Sequence, residues 1–232
     1  MKRRTFLWSA GAAVPALAVI SGSPSFGEEP KTLGAIALPK PKVQGGKPLL
    51  EALSERKTLR NFGSAQLPLQ TLSNLLWAAF GVNRPDGKRT APSARNVQDI
   101  DIYVFLPDGA YLYVAGPHAL KLVLGGDQRG KGLRQPQAPG SANPPVTLFY
   151  VADGDKTRAA GGRAPDGSAL ASWSNVHVGF IAQNVYLYAA SEGLASSFRA
   201  NVDPDALSAL LNLRAAQKPL YSHLVGYPSA TS

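Results

Sequence analysis

Arg56, Lys57, Thr58 and Arg60 put two guanidinium groups, an ammonium and a hydroxyl into one short run. Cationic forks and a hydroxyl at a helix end suit a dianionic phosphate, because charge-assisted hydrogen bonds to it are short and strong. Taken alone, the run reads first as a solvated face. The rest of the chain offers few rivals for chemistry. Gly125 to Gly132 has the spacing to Lys131 of a nucleotide phosphate loop. However, Gly132 stands where a hydroxyl should hold magnesium, and Pro136 forbids a long following helix, so this run reads as a flexible loop. The three histidines, His118, His177 and His223, lie far apart without zinc-ligand spacing. His177 reads as a hydrogen-bonded core residue. Asp153 and Asp155 resemble half a calcium loop but lack the later bidentate Glu, and read as a turn. There is no GxSxG elbow and no convincing pair of carboxylates. Cysteine is absent, which excludes disulfides, thiolate metal sites and a cysteine nucleophile.

Whatever the run at Arg56 does, elements of the fold must position it. Pro48 to Arg56 predicts a short amphipathic helix through Leu49, Leu50 and Leu53, with Pro at its start. Pro68 to Phe80 repeats the device, with Leu69, Leu72, Leu75, Leu76 and Phe80 at helical spacing and Gly81 as the stop. Ile100 to Leu106 and Tyr111 to Ala115 predict a β-hairpin turning at Pro107 to Ala110. His118 to Leu124 reads as a short helix, and Val146 to Ala152 as a strand buried on both faces. The long segments Gly125 to Pro145 and Asp153 to Gly167 read as loops that could act as lids.

Ala169 to Glu192 predicts a long helix, with no charge from Ala169 to Ser191 and apolar residues on every face. Asn175, His177, Gln183 and Asn184 make it too polar for lipid, so it belongs in a core or a subunit interface. Gly193 ends it. Pro204 to Leu211 predicts a last helix and Leu220 to Tyr227 a last strand.

The first 27 residues read as an export signal. Lys2-Arg3-Arg4 precedes an uncharged run from Ser9 to Ile20, and Ser25 with Gly27 suits cleavage. A run of about 12 residues makes roughly 18 Å of helix, too short for a hydrocarbon core of about 30 Å, so no stable membrane anchor is expected. Arg3-Arg4-Thr5-Phe6-Leu7 matches the twin-arginine signal, whose route exports folded proteins with cofactors aboard; an ordinary secretory signal is the alternative. A periplasmic or otherwise exported protein follows. Residues 28–47, rich in Pro, Lys and Gly, read as an extended arm, and 48–232 as one domain. Hydrophobic residues make up 44% of the 232, enough for a real core. The net charge is +9; Lys2, Arg3 and Arg4 supply three of these without an acid, which leaves +6. The remaining basic residues are scattered through loops with no basic helix, which argues against nucleic acid.

Four segments in order resemble the nitroreductase family, particularly its branch related to azoline dehydrogenases of peptide-modifying pathways. Leu50 to Phe62 is similar to the family's opening R-R-S-x-R-x-F, with Arg56, Thr58 and Arg60 at the basic, hydroxyl and basic positions and Lys57 between them. Gly81 to Asn96 resembles a P-S-x-x-N stretch through Pro92, Ser93, Ala94 and Asn96. Val178 to Leu194 looks like the family's interface helix with its Gly-Leu ending, and Val225-Gly226-Tyr227-Pro228 like its closing G-Y-P.

The resemblance implies an α+β fold, a central, mainly antiparallel sheet flanked by helices, and a homodimer with FMN at its interface. It implies that Arg56, Thr58 and Arg60 grip phosphate and ribityl chain, and that Pro92, Ser93, Ala94 and Asn96 reach the neighbour's flavin. The loop Ser196 to Asn201 would bring Arg199 and Ala200 to flavin N5 and O4. The family's basic residue beyond G-Y-P has no counterpart before Ser232, which leaves weaker phosphate binding or a share for Arg89 or Lys88. The implied activity is FMN-dependent oxidation–reduction of a small-molecule or peptide-like substrate. Export argues for a donor other than NAD(P)H. A conventional NAD(P)H nitroreductase and a non-catalytic flavin- or partner-binding module are the alternatives.

Overall fold

The computed structural model describes residues 34–134, 144–159 and 167–229, with the side chains of 167–171 excepted. The signal segment 1–27, the start of the arm and the middles of both long loops lie outside the described residues.

Seven strands form one sheet in the order β1-β4-β3-β2-β5-β7-β6, every neighbour antiparallel. In chain order they are β1 (Ala35–Ala37), β2 (Ile100–Leu106), β3 (Gly109–Val114), β4 (Ala119–Gly125), β5 (Val146–Asp153), β6 (Ala195–Arg199) and β7 (Gln217–Gly226). The helices are α1 (Leu49–Glu55), α2 (Leu69–Phe80), α3 (Gly154–Ala159), α4 (Gly167–Ser191) and α5 (Pro204–Leu211). The fold is the expected α+β architecture.

Strand alternation explains the two-sided core. Ile100, Ile102 and Val104 of β2 and Leu148 and Tyr150 of β5 face α2 and α4. Their neighbours Tyr103, Phe105, Phe149 and Val151 face the other way, onto Leu207 and Leu211 of α5. Successive side chains point to opposite faces, so a strand covered on both sides must be apolar throughout. All eight residues of β5 are accordingly buried. Helix α4 packs its Val178, Ile181, Val185 and Ala189 into the first core. It ends at Gly193, whose φ of +67° is a left-handed conformation that glycine adopts without steric cost.

Three expectations are corrected. His118 to Leu124 is not a helix: β4 pairs with β3 from Val114↔Ala119 to Gly109↔Gly125. Leu120 and Leu122 share one face of the strand, Leu120 fully buried and Leu122 exposed at the margin of the core, with Lys121 exposed on the opposite face. His118, at φ +50°, makes the turn before it. The arm contributes a strand, β1, which pairs along β4. The second long loop begins as α3, directly after β5. His177 is the buried, hydrogen-bonded residue expected of it: its Nδ1 lies 2.6 Å from Asp99 Oδ1. Among the described residues no helix is long and apolar enough to cross a membrane.

Candidate functional site

The chain leaves α1 at Arg56 and runs extended beside the sheet. Leu59 N–H donates to the Ser196 carbonyl at 3.0 Å, Gly63 N–H to the Tyr227 carbonyl at 2.9 Å, and Phe62 bridges Pro228. This path brings together three of the four segments picked out in the sequence. Residues 56–60 lie along β6, and the closing Gly-Tyr-Pro lies at their far end.

Tyr186 of α4 is the joint between them. Its hydroxyl accepts the Phe198 N–H at 2.9 Å and shares a hydrogen bond with Thr58 Oγ1 at 3.0 Å. The Arg56 guanidinium lies over the same ring, 5.2 Å from its centroid. Such stacking holds a guanidinium plane in place while leaving its edge for an anion. Arg199, at the end of β6, is partly buried, which lowers its guanidinium pKa, and the charge of nearby Arg60 lowers it further. Arg56, Thr58, Arg60 and Arg199 lie near one another at one edge of the sheet, with Lys57 exposed alongside.

The supposed loop Ser196 to Asn201 is largely strand β6, an edge strand in register with β7 from Ala195↔Gly226 to Arg199↔Ser222. Its outer edge faces Leu59 and Tyr186 through the Ser196 carbonyl and the Phe198 amide. Strand alternation, carried one step past β6, puts the next amide of that edge at Ala200, which is exposed. A cavity of about 230 Å³ beside this cluster is lined by Lys57, Leu59, Tyr186, Ala190, Leu194 and Ser196. Its volume is below the roughly 300–1,000 Å³ of ordinary small-molecule pockets.

Pro92 to Asn96 lies elsewhere. Its described contacts run to α4 near Trp173 and His177, about nine residues before Tyr186 and so roughly 14 Å away along the helix axis. Arg95, Asn96 and Gln98 all hold positive φ, at 52°, 56° and 49°. Non-glycine residues are rarely left-handed, and such strain persists only where the surroundings over-determine it. Ser93 Oγ accepts the Gln98 N–H at 3.0 Å, and the Asn96 N–H reaches the Ser93 carbonyl at 3.0 Å. Arg89 serves this loop within the protomer. It donates to Gln98 Oε1 at 2.7 Å and to the Phe80 carbonyl at 3.1 Å, and stacks on the Phe80 ring. Lys88 pairs with Asp86 at the exposed turn.

Behind β6 sits a histidine that sequence reasoning missed as part of the site. His223 is fully buried, with Ser196 Oγ 2.7 Å from Nε2 and the Tyr150 hydroxyl 3.1 Å from Nδ1. Burial lowers its pKa to about 3, so the ring is neutral. Unfolded, it titrates near 6.5, so between those values the unfolded chain binds the extra proton and stability rises with pH. As pH falls through this window, unfolding free energy should drop by up to about 1.4 kcal/mol per unit from this residue. Urea titrations at several pH values should show that slope in the parent and a shallower one in His223→Gln. Equal slopes would contradict the assignment.

Among the described residues no cluster of His, Asp and Glu could hold a metal ion. A profile of the Nitroreductase family matches residues 53–227. A nitroreductase-like protein of Methanocaldococcus jannaschii is 32% identical over 159 residues, covering 64% of this chain and 76% of that protein. The crystal structure of a nitroreductase-like protein from Ralstonia eutropha is 34% identical. It superposes with a TM-score of 0.77 over 84% of this chain and 90% of that one. A chain of the Escherichia coli microcin synthetase complex, solved with a truncated pro-peptide bound, shares the fold. Its TM-score is 0.63 at 19% identity, over 77% of this chain and 73% of that one. The seven-stranded sheet, the basic cluster on its edge strand and a family match over three quarters of the sequence agree: this chain belongs to the nitroreductase family of oxidoreductases.

Proposed function

We propose that this protein is an exported FMN oxidoreductase that holds its flavin between two copies of the chain. The observation that carries the reading is the convergence of Arg56, Thr58, Arg60 and Arg199 at the outer edge of β6, where the charges of Arg60 and Arg199 oppose each other. That donor set fits a phosphate monoester: planar forks for paired oxygens and a hydroxyl tethered by Tyr186. Bound FMN would supply reversible electron transfer; the protein supplies position, electrostatics and exclusion of water. Arg56 and Arg60 hold the phosphate, Thr58 orients the ribityl chain, and the amide at Ala200 faces the ring edge. Pro92, Ser93, Ala94 and Asn96, displaced along α4 from this cluster, serve the other subunit's flavin. The exposed apolar residues of α1 and α4 form the seam between subunits.

Export decides the donor. Nicotinamide nucleotides are cytoplasmic reagents, so an oxidisable small molecule, a peptide-like substrate or a reduced membrane carrier would serve as the electron donor to bound FMN. Anaerobic mixing of the FMN-loaded protein with a donor panel tests this. NADH and NADPH should leave the flavin oxidised over minutes while a quinol or an oxidisable substrate bleaches it. Rapid bleaching by a nicotinamide would establish the conventional alternative. Export itself should depend on Arg3 and Arg4. The double substitution Arg3→Lys with Arg4→Lys should strand folded, flavin-loaded protein in the cytoplasm. Unchanged export would mean an ordinary secretory route.

A further inference from the structure

The buried face of α4 carries a polar cluster that the flavin cradle does not use. Ser174, His177 and Asp99 are only 1%, 2% and 1% exposed. Ser174 Oγ donates to Asp99 Oδ2 at 2.6 Å, His177 Nδ1 lies 2.6 Å from Asp99 Oδ1, and the Ala94 N–H donates to His177 Nε2 at 2.8 Å. These partners fix the ring proton. Nε2 must be bare to accept an amide hydrogen, so Nδ1 carries the proton and donates it to the carboxylate. Burial alone would raise the Asp99 carboxyl, but the hydrogen bonds from His177 and Ser174 outweigh it and hold the group below its ordinary value. The trio is not a hydrolase triad. Its serine bonds the carboxylate, and the far histidine nitrogen faces a backbone amide rather than a nucleophile.

A buried carboxylate is costly, and this one is aimed through a histidine at a single amide. That amide opens the Ala94–Asn96 turn, the one in which Arg95 and Asn96, with Gln98 just beyond, are left-handed. Strained backbone of this kind needs an external hold. We propose that His177, oriented by Asp99 and Ser174, is a positioning residue that clasps Pro92–Asn96 in the shape that meets the other subunit's flavin. The proposal rests on the flavin reading above. It assigns to α4 a second task besides packing: one end ties down Thr58 and β6 through Tyr186, the other sets the loop that serves the neighbour.

Two near-isosteric variants separate the clasp from bulk packing. His177→Asn keeps an N–H at the δ position for Asp99 but has no acceptor that reaches Ala94. His177→Gln places a carbonyl oxygen near the ε position and can keep the Ala94 bond. In flavin-free protein, the Ala94 amide should exchange with deuterium about tenfold faster in His177→Asn than in the parent, and near the parental rate in His177→Gln. FMN affinity should follow the same order, about tenfold weaker in Asn and close to parental in Gln. Equal exchange in both variants overturns the clasp, and so does unchanged FMN affinity in His177→Asn. In the parent, nitrogen NMR should find Nδ1 protonated and Nε2 bare; the opposite tautomer overturns the proposal without any variant. A parent that refuses FMN sinks the flavin reading instead, while the exchange and tautomer results still decide whether the loop is clasped.

Discussion

Arg56→Ala should weaken FMN binding by roughly ten- to a hundredfold, the loss of one charge-assisted pair worth about 1.5–3 kcal/mol. The structure gives the reason this arginine should matter more than an exposed basic residue. Its guanidinium is stacked over Tyr186, whose hydroxyl is tied to Thr58 and to the edge of β6, so the fork is oriented before any phosphate arrives. Little side-chain freedom then remains to be lost on binding. Arg56→Lys keeps the charge but not the planar fork or the stacking, and should recover only part of the affinity. Flavin fluorescence titration checks both variants. Parental affinity in Arg56→Ala would remove the phosphate assignment.

Phe180→Asp should split the dimer and release the flavin with it. Phe180 and Val176 lie exposed on α4, one turn apart, with Gly179 between, and Leu50 and Leu53 lie exposed on α1. Phe180 is 44% exposed and Leu50 is 78% exposed, values that core residues do not show. A charge at Phe180 is harmless to a protomer in water but costs several kcal/mol when trapped unpaired in an interface. The dimer dissociation constant should therefore rise by about a hundredfold or more while the unfolding midpoint of the isolated chain barely moves. Tyr188 makes a poorer probe. Its hydroxyl reaches the Thr71 carbonyl of α2 at 3.3 Å within the same protomer, so a charge there damages the fold as well. A Phe180→Asp protein that sediments as the parent does would place the seam elsewhere.

What the sequence revealed, and what it hid, divides along physical lines. Long periodic signals survived: α2, α4 and α5 lie where apolar spacing, Pro and Gly put them. β5 was recognisable because covering both faces forces a continuous apolar run. Failures came where local pattern was short and tertiary pairing decided. Leu120, Leu122 and Leu124 suit either period over so few residues, and only the register with β3 makes them a strand. Strand β1 is three residues long and exists because β4 offers it an edge. β6 reads Ala-Ser-Ser-Phe-Arg, with no strand signal beyond its aromatic residue. In the candidate site, Arg56, Thr58, Arg60 and Arg199 were named only through the resemblance of four ordered segments, since the run at Arg56 taken alone reads as a solvated face. Tyr186 could not, since nothing in an uncharged helix says which tyrosine turns toward a sheet edge. Asp99 and Ser174 were equally hidden, because their meaning comes from His177, far along the chain.

Sedimentation of the purified mature protein at micromolar concentration, followed by protein and flavin absorbance together, tests the central claim most directly. The account predicts a yellow species of dimer mass carrying about one FMN per chain, with flavin and dimer lost in a single step on dilution. A monomer fully loaded with FMN at that concentration would contradict it, as would a colourless dimer that takes up no added FMN.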